Sequence, residues 1–322
     1  MTHPGGLSLQ AFGFSDKGRI REHNEDVVLV MRALGLFAVA DGAGGHEAGD
    51  VAADAAARSL AKHVEKHAAS APASARALSH LSIDPEARLL SAAFHRAHQD
   101  VVNIARAAQS SKGMGTTLVA AYFSEDGERA HIAHVGDSRC YRLRGGHLEL
   151  LTVDHSIGMD VLEKRPDLDD VVLGSLPRHV VTRAIGMGED FRVSVQTRPV
   201  VAGDRYLLCS DGLSAPLPAW ELAEVLRTEH NPESAVSSLI ARANAAGGPD
   251  NIAAIVVDCA RGAERAVPLD RPGLHVGKSA VRGSDPELLI LGIEELDLSG
   301  RTDGADDDLI RALGLAVKKH KK

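Results

Sequence analysis

Acidic residues recur in this chain at the borders of apolar runs. Asp41 ends the run Leu36 to Ala40 and is followed by Gly42, Gly44 and Gly45. Asp137 follows HIAHVG, and Asp211 follows YLLCS. Asp250 comes after the turn Gly247-Gly248-Pro249 and just before a run that starts at Ile252, while Glu25 and Asp26 precede Val27 to Met31. A carboxylate at a strand end beside permissive glycine backbone suits a hard cation, because carboxylate and carbonyl oxygens can share it. In an antiparallel sheet the start of one strand borders the end of its neighbour, so an acid before one strand can face an acid after another. Carboxylates crowded in this way repel and raise one another's pKa. A divalent cation removes that penalty and becomes the largest local charge. Taken singly, each aspartate reads more readily as a turn former or a helix cap; the joint pattern carries the metal reading. No cysteine pair stands at zinc-ligand spacing, and an all-oxygen ligand set favours Mg2+ or Mn2+. Two such ions side by side can hold a nucleophile for in-line attack on phosphorus.

The elements that must position these acids follow from periodicity. Leu7 to Asp16 alternates and predicts an edge strand. Val27 to Met31 and Leu36 to Ala40 follow, and the three runs read as consecutive antiparallel strands. Asp50 to His67 and Pro85 to Ala108 carry apolar residues at helical spacing, separated by an Ala-, Ser- and Pro-rich loop from Ala68 to Asp84. Strands are then expected at Thr116 to Phe123, Arg129 to Val135 and Cys140 to Leu143, with a hairpin on Gly145-Gly146 into His147 to Leu151. Asp154 to Val181 reads as an irregular flap. Phe191 to Pro199 and Arg205 to Cys209 read as strands, Pro218 to Leu226 and Pro232 to Ala246 as helices, and Ile252 to Cys259 as a closing strand. Beyond Arg261 the texture changes: Gly262 to Gly283 is linker-like, Leu288 to Ile293 could form a strand, and Asp306 to Lys322 a short helix with a basic end. The order of strands and helix pairs predicts a layered α plus β architecture.

The bulk numbers fit a globular chain. It has 322 residues, 44% hydrophobic and 25% charged, with a formal net charge of −8. No basic stripe marks a nucleic-acid surface. No apolar run approaches the roughly 18 residues that a membrane span needs. Cys140, Cys209 and Cys259 are far apart within apolar runs and read as buried thiols, not as a disulfide framework. The N-terminus lacks the charged region and apolar core of a signal peptide, which points to a cytoplasmic setting.

Read in order, the motifs resemble the metal-dependent serine/threonine phosphatases of the PP2C (PPM) family in their compact bacterial form. The blocks are RIREHNED (Arg19 to Asp26), VADGAGGHEAGDVAA (Val39 to Ala53), GMGTTL (Gly113 to Leu118), HVGDSRCYRL (His134 to Leu143) and LTVDHS (Leu151 to Ser156). TRAIG (Thr182 to Gly186), CSDGL (Cys209 to Leu213) and GPDNIAAIVV (Gly248 to Val257) complete the series. The resemblance implies an α-β-β-α sandwich of two antiparallel sheets flanked by helix pairs, occupying residues 1–261, with 262–322 as an extension outside the family core. It implies two Mn2+ or Mg2+ ions bridged by Asp41, with Asp211 and Asp250 on the first and the Gly42 carbonyl, Asp26 and Glu25 on the second. Asp137 matches the residue that bacterial members use for a third, weaker ion near the flap, and Arg21 matches the phosphate-binding arginine. Ser138 and Arg139 are expected to shape their turn, Asn251 to order the loop after Asp250, and Thr116, Thr117 and His155 to serve structure and not chemistry.

The implied activity is hydrolysis of phosphoserine and phosphothreonine in proteins by a metal-bridging hydroxide, in a monomer opposed by a cognate kinase. The competing reading is a pseudophosphatase, a module of the same fold that binds a phosphoprotein or kinase without turnover; lost core aspartates would mark it, and Asp41, Asp211 and Asp250 are all present. A scaffold acting through residues 262–322 is a third reading. The chain departs from the family pattern at Ala43, where animal members carry a histidine thought to protonate the leaving group. His46 stands three residues further on. The flap segment from Ser156 to Val181 is also short.

Overall fold

A computed structural model describes residues 7–44, 48–68, 84–108, 113–169, 176, 180–188, 191–261 and 275–276. In chain order the elements are β1 (Leu7–Asp16), β2 (Asp26–Met31), β3 (Leu36–Ala43), α1 (Ala48–Ala68), α2 (Pro85–Ala107), β4 (Gly115–Thr116), β5 (Leu118–Phe123), β6 (Arg129–Val135), β7 (Arg139–Arg144) and β8 (His147–Leu150). They continue with α3 (Ile157–Lys164), β9 (Ser194–Pro199), β10 (Arg205–Cys209), α4 (Asp211–Ser214), α5 (Ala219–Thr228), α6 (Pro232–Ala245), β11 (Ile252–Arg261) and β12 (His275–Val276).

Two antiparallel sheets pack face to face. One runs β1-β11-β10-β7-β8 and the other β12-β2-β3-β5-β6-β9. Strand alternation sends side chains to opposite faces. In β3, Phe37 and Val39 enter the core between the sheets, where they join Val119, Ile132, Tyr206, Leu208 and Ile255. Leu36, Ala38 and Ala40 face the other way, into the layer under α1 and α2. Leu207 and Cys209 of β10 likewise face α5 and α6. Both faces of these central strands are buried, which is why they read as unbroken apolar runs. Alanines at 52, 53, 56 and 57 let α1 lie close against Leu90, Ala93, Phe94 and Ala97 of α2. The start of α2 is set by Pro85 in its first turn and by the Asp84 carboxylate, which accepts the Glu86 N–H at 2.9 Å. This is the four-layer sandwich expected.

Several details differ from the sequence reading. β1 is an edge strand, as its alternation suggested, but it does not pair with β2; it pairs with β11 along its whole length, Leu7 against Arg261 through Asp16 against Ile252. β2 and β3 belong to the opposite sheet. Alternation is satisfied equally in either sheet, so it cannot assign the partner. The strand expected from Thr116 to Phe123 is interrupted at Thr117, whose N–H turns aside to donate to the Asp41 carbonyl at 2.8 Å. The segment taken as irregular contains α3, anchored by buried Val161. Asp211 opens the short helix α4 directly after β10. The strand expected from Phe191 begins at Ser194. Within the stretch read as a linker, His275 and Val276 pair with Val30 and Leu29 at the edge of β2. The loop at 69–83, His46, and the strand and helix expected beyond 283 lie outside the described residues.

Candidate metal centre

The two sheets bring the acids to one end of the sandwich. Asp26, the first residue of β2, stands directly opposite Asp41, near the end of β3. Both carboxyl groups are buried. Each is held well above the ordinary carboxylate pKa, first by burial and then by the charges of the other acids: Asp250 and Asp211 for Asp26, and Asp26, Asp211, Asp250 and Asp137 for Asp41. The Asp26 carboxylate accepts the Ser210 hydroxyl at 2.6 Å, which opposes the shift. Asp137 is pushed up to about 7, by burial first and then by Asp211 and Asp154. The acids predicted from five separate stretches of sequence therefore converge on Asp41.

Backbone contacts fix their approach. The Asp41 carbonyl accepts the Thr117 N–H and the Thr116 hydroxyl, both at 2.8 Å, and the Asp41 N–H donates to Thr117 Oγ1 at 3.3 Å. Asn251 clamps the first loop: its Oδ1 accepts the Glu25 N–H at 2.8 Å, and its Nδ2 donates to the carbonyls of Lys17 and His23 at 2.9 Å. At Gly212 a Cβ would lie 1.8 Å from the Asn251 carbonyl oxygen, so only glycine lets α4 and its Asp211 sit against the start of β11. Arg21 extends from the same first loop, and its guanidinium donates to Asp250 Oδ2 at 3.0 Å. The Asp250 Oδ1 accepts the N–H of Asn251 at 2.8 Å.

Glu25 tests whether the residues fit a cation. It is 1% exposed, yet neither carboxylate oxygen has a hydrogen-bond partner. Burial, then the neighbouring Asp50, push its pKa up to about 8. Its Oε2 fills the space over Gly49, where a Cβ would come within 2.0 Å. A buried carboxylate left without donors is costly unless it is neutralised. Hard oxygen donors and an excess of buried negative charge together fit Mg2+ or Mn2+ and do not fit a thiolate- or imidazole-preferring metal.

Sequence reasoning passed over Ser210, whose hydroxyl also accepts the Ala253 N–H at 2.9 Å and so ties the end of β10 to β11 while holding Asp26. It lies within the CSDGL block but carries no charge to draw notice. Asp50 was placed only as a helix start, though it is an electrostatic neighbour of Glu25. Arg139 does shape its turn, gripping Asp154 through Nε at 2.9 Å and Nη2 at 2.6 Å. Among the described residues one group, Asp84, Glu86 and His131, brings three ligand atoms within 4.8 Å of one another, and it is not the group around Asp41. Arg129 already compensates it, paired with Asp84, with Glu86 at 3.6 Å and with Asp126 at 2.9 Å. That group lies at the opposite end of β6 from Asp137 and is an ion-pair network within the fold.

Comparison with known proteins agrees with this arrangement. Residues 21–255 match the family model for protein phosphatase 2C. The serine/threonine protein phosphatase PstP of Mycobacterium tuberculosis is 34% identical over 256 residues; the match covers 78% of this chain but only 45% of that protein, so the chain spans about half the length of this relative. The serine/threonine phosphatase stp of Listeria monocytogenes is 33% identical over 247 residues, covering 76% of this chain and 93% of that one. Among solved structures, the catalytic domain of PstP in complex with two manganese ions superposes with a TM-score of 0.66 at 32% identity, over 79% of this chain and 99% of that one. No helix among the described residues is long and apolar enough to cross a membrane. Sequence blocks, sandwich topology and family match coincide over the same residues, and the chain belongs to the protein phosphatase 2C family.

Proposed function

We propose that this protein is a metal-dependent phosphatase that hydrolyses phosphoserine and phosphothreonine esters in proteins, using Mn2+ or Mg2+ held by the acids around Asp41. The observation that carries the reading is the orphaned, buried carboxylate of Glu25 beside the facing pair Asp26 and Asp41. By resemblance to the family, Asp41, Asp211, Asp250, the Gly42 carbonyl, Asp26 and Glu25 would hold two ions between them, and Asp137 would hold a third. The charges of Asp26, Asp211, Asp250 and Asp137 converge on Asp41, which supports their part in that assignment. When bound, the ions supply Lewis acidity at phosphoryl oxygens and a potent water-derived nucleophile near neutral pH.

The remaining chemistry belongs to the protein's own residues. Arg21 offers a two-pronged donor for phosphoryl oxygens, and its pairing with Asp250 keeps the guanidinium at the centre. Asn251 and Ser210 hold Glu25 and Asp26 in place so that little reorganisation is needed when charge develops. Cysteine nucleophiles are not in play. All three thiols are buried, and burial pushes Cys209 up to about 12 and Cys140 and Cys259 higher still. Ala43 has no proton to give, so on this reading the leaving alkoxide draws its proton from water or from another group of the protein.

We place the catalytic unit in residues 1–261 and treat 262–322 as an appended segment; the span of the family match, 21–255, supports that boundary. We further read the protein as a monomer that opposes a cognate serine/threonine kinase in the cytoplasm, a reducing compartment with which its unpaired cysteines agree. The test is phosphate release from phosphothreonine, phosphoserine and phosphotyrosine peptides with Mn2+ and with EDTA. Release from the first two with Mn2+ and none with EDTA is expected. Metal-independent release, or release from phosphotyrosine alone, would overturn the reading.

A further inference from the structure

His155 is buried and makes more specific contacts than packing requires. Its N–H donates to the Gly136 carbonyl at 2.9 Å, and the Gly136 N–H returns to His155 Nδ1 at 3.2 Å. A backbone N–H can only donate, so Nδ1 is the unprotonated nitrogen and Nε2 carries the proton. Nε2 therefore donates to Ser194 Oγ, 3.0 Å away at the start of β9. The ring stacks on His134, with centroids 4.6 Å apart and planes 15° apart, and His134 is itself held by the Val153 carbonyl at 2.7 Å. On the other side the His155 carbonyl accepts the Thr182 N–H at 2.8 Å.

Thr182 belongs to a strap, Val180 to Ile185, that is bonded at both ends. Near its start, the Val180 carbonyl accepts the Ile157 N–H at 3.1 Å and Val181 bridges to Ser156. At its far end Ile185 and Thr116 exchange both backbone hydrogen bonds, at 2.8 and 3.1 Å. The Thr116 hydroxyl in turn donates to the Asp41 carbonyl. A second connection runs from Asp41 through Thr117 to Ser138, whose hydroxyls lie 2.7 Å apart. The strap thus joins the turn carrying Asp137 to the backbone of Asp41, and His155 is the joint at the Asp137 end.

We propose that His155 is a positioning residue: it holds the turn that carries Asp137 in register with the strap Val180 to Ile185, and through the strap with Asp41. It touches none of the acids through any contact described above; it acts through Gly136. The kinetic part of its test rests on the phosphatase reading, while the binding part does not.

Two substitutions separate the ring's roles. In His155→Asn the side-chain oxygen stands near the Nδ1 position and can still accept the Gly136 N–H. In His155→Gln the terminal amide reaches toward the Nε2 position, keeping Ser194 and losing Gly136. Mn2+ binding to the full-length protein is measured by titration calorimetry, together with the half-saturating Mn2+ concentration and kcat for p-nitrophenyl phosphate. His155→Gln and His155→Ala are expected to weaken one class of Mn2+ site by about tenfold or more, as loss of an outer-shell partner does, with kcat at saturating Mn2+ within about threefold of the parent; His155→Asn should bind Mn2+ as the parent does. Equal impairment of the Asn and Gln variants, or unchanged Mn2+ binding in both, would overturn the proposal. If His155→Ala does not fold, the Asn and Gln pair still decides. If the parent binds Mn2+ but hydrolyses nothing, the phosphatase reading fails and the calorimetric comparison still stands.

Discussion

Asp26 and Asp41 face each other directly across the β2–β3 pair, both buried, with burial and then the charge of Asp26 holding the Asp41 carboxyl well above the ordinary range. Like charges at opposed positions destabilise a sheet. The fold tolerates the pair, which marks it as stability given up for function. Asp41→Asn should therefore raise the melting temperature of the EDTA-treated protein while reducing phosphothreonine hydrolysis at least ~100-fold. A melting temperature that falls in EDTA would contradict the like-charge account.

Burial of the acids, and then their crowding, gives the metal-free protein a signed pH dependence. Glu25, raised to about 8, and Asp137, raised to about 7, bind protons more tightly folded than unfolded. Their contribution to stability is complete below the ordinary carboxylate pKa of about 4 and is lost as pH climbs through 7 to 8. Thermal melts in EDTA should decline from pH 5 to pH 8.5, and saturating Mn2+ should flatten or reverse the slope. A flat profile in EDTA is the result that would count against it.

Arg21 pairs with Asp250 at 3.0 Å and is assigned to phosphate. Arg21→Ala should lower kcat/KM for a phosphopeptide by about 10- to 100-fold, and Arg21→Lys should recover only part, since an ammonium cannot make two parallel bonds. Steady-state kinetics and the inhibition constant of inorganic phosphate report it together. Full activity in the lysine variant would mean that geometry is unimportant there.

Asn251 makes one acceptor and two donor bonds from a buried position. Asn251→Ala would strand the Glu25 N–H and the carbonyls of Lys17 and His23, at a cost of roughly 2–4 kcal/mol. Urea denaturation measures the loss. Activity should fall as well, because the Glu25 loop is no longer clamped; stability loss with unchanged activity would confine Asn251 to a structural role.

Removing residues 262–322 leaves the sandwich strands other than β12 in place. A chain ending at Arg261 should keep its Mn2+-dependent kcat within about threefold, since a covered sheet edge guards against association more than it supports the site. Kinetics with light scattering would separate lost activity from aggregation, and a collapse of kcat in a monodisperse sample would move the domain boundary.

Local spacing alone singled out the acids that could do chemistry, and the motif blocks that resemble the PP2C family added Arg21 and the Gly42 carbonyl. Acids bordering apolar runs, three of them (Asp41, Asp137 and Asp211) beside glycine, were visible because strand ends and turns are written in residues a few positions apart. The helices over α1 and α2, the hairpin at Gly145-Gly146 and the buried cysteines were legible for the same reason. What the tertiary structure decided depends on contacts between distant stretches. Alternation fixes which side of a strand faces a core but not which sheet receives it, so the pairing of β1 with β11 had to come from packing. That pairing brings Asp16 beside Ile252 and lets Asn251 reach Glu25. Ser210 acts only through partners far along the chain and no local signal sets it apart, while the LTVDHS block marked His155 as structural without showing what it holds. The orphaned carboxylate of Glu25 is likewise a property of its surroundings: its type is in the sequence, and its need for a cation exists only once the fold has buried it.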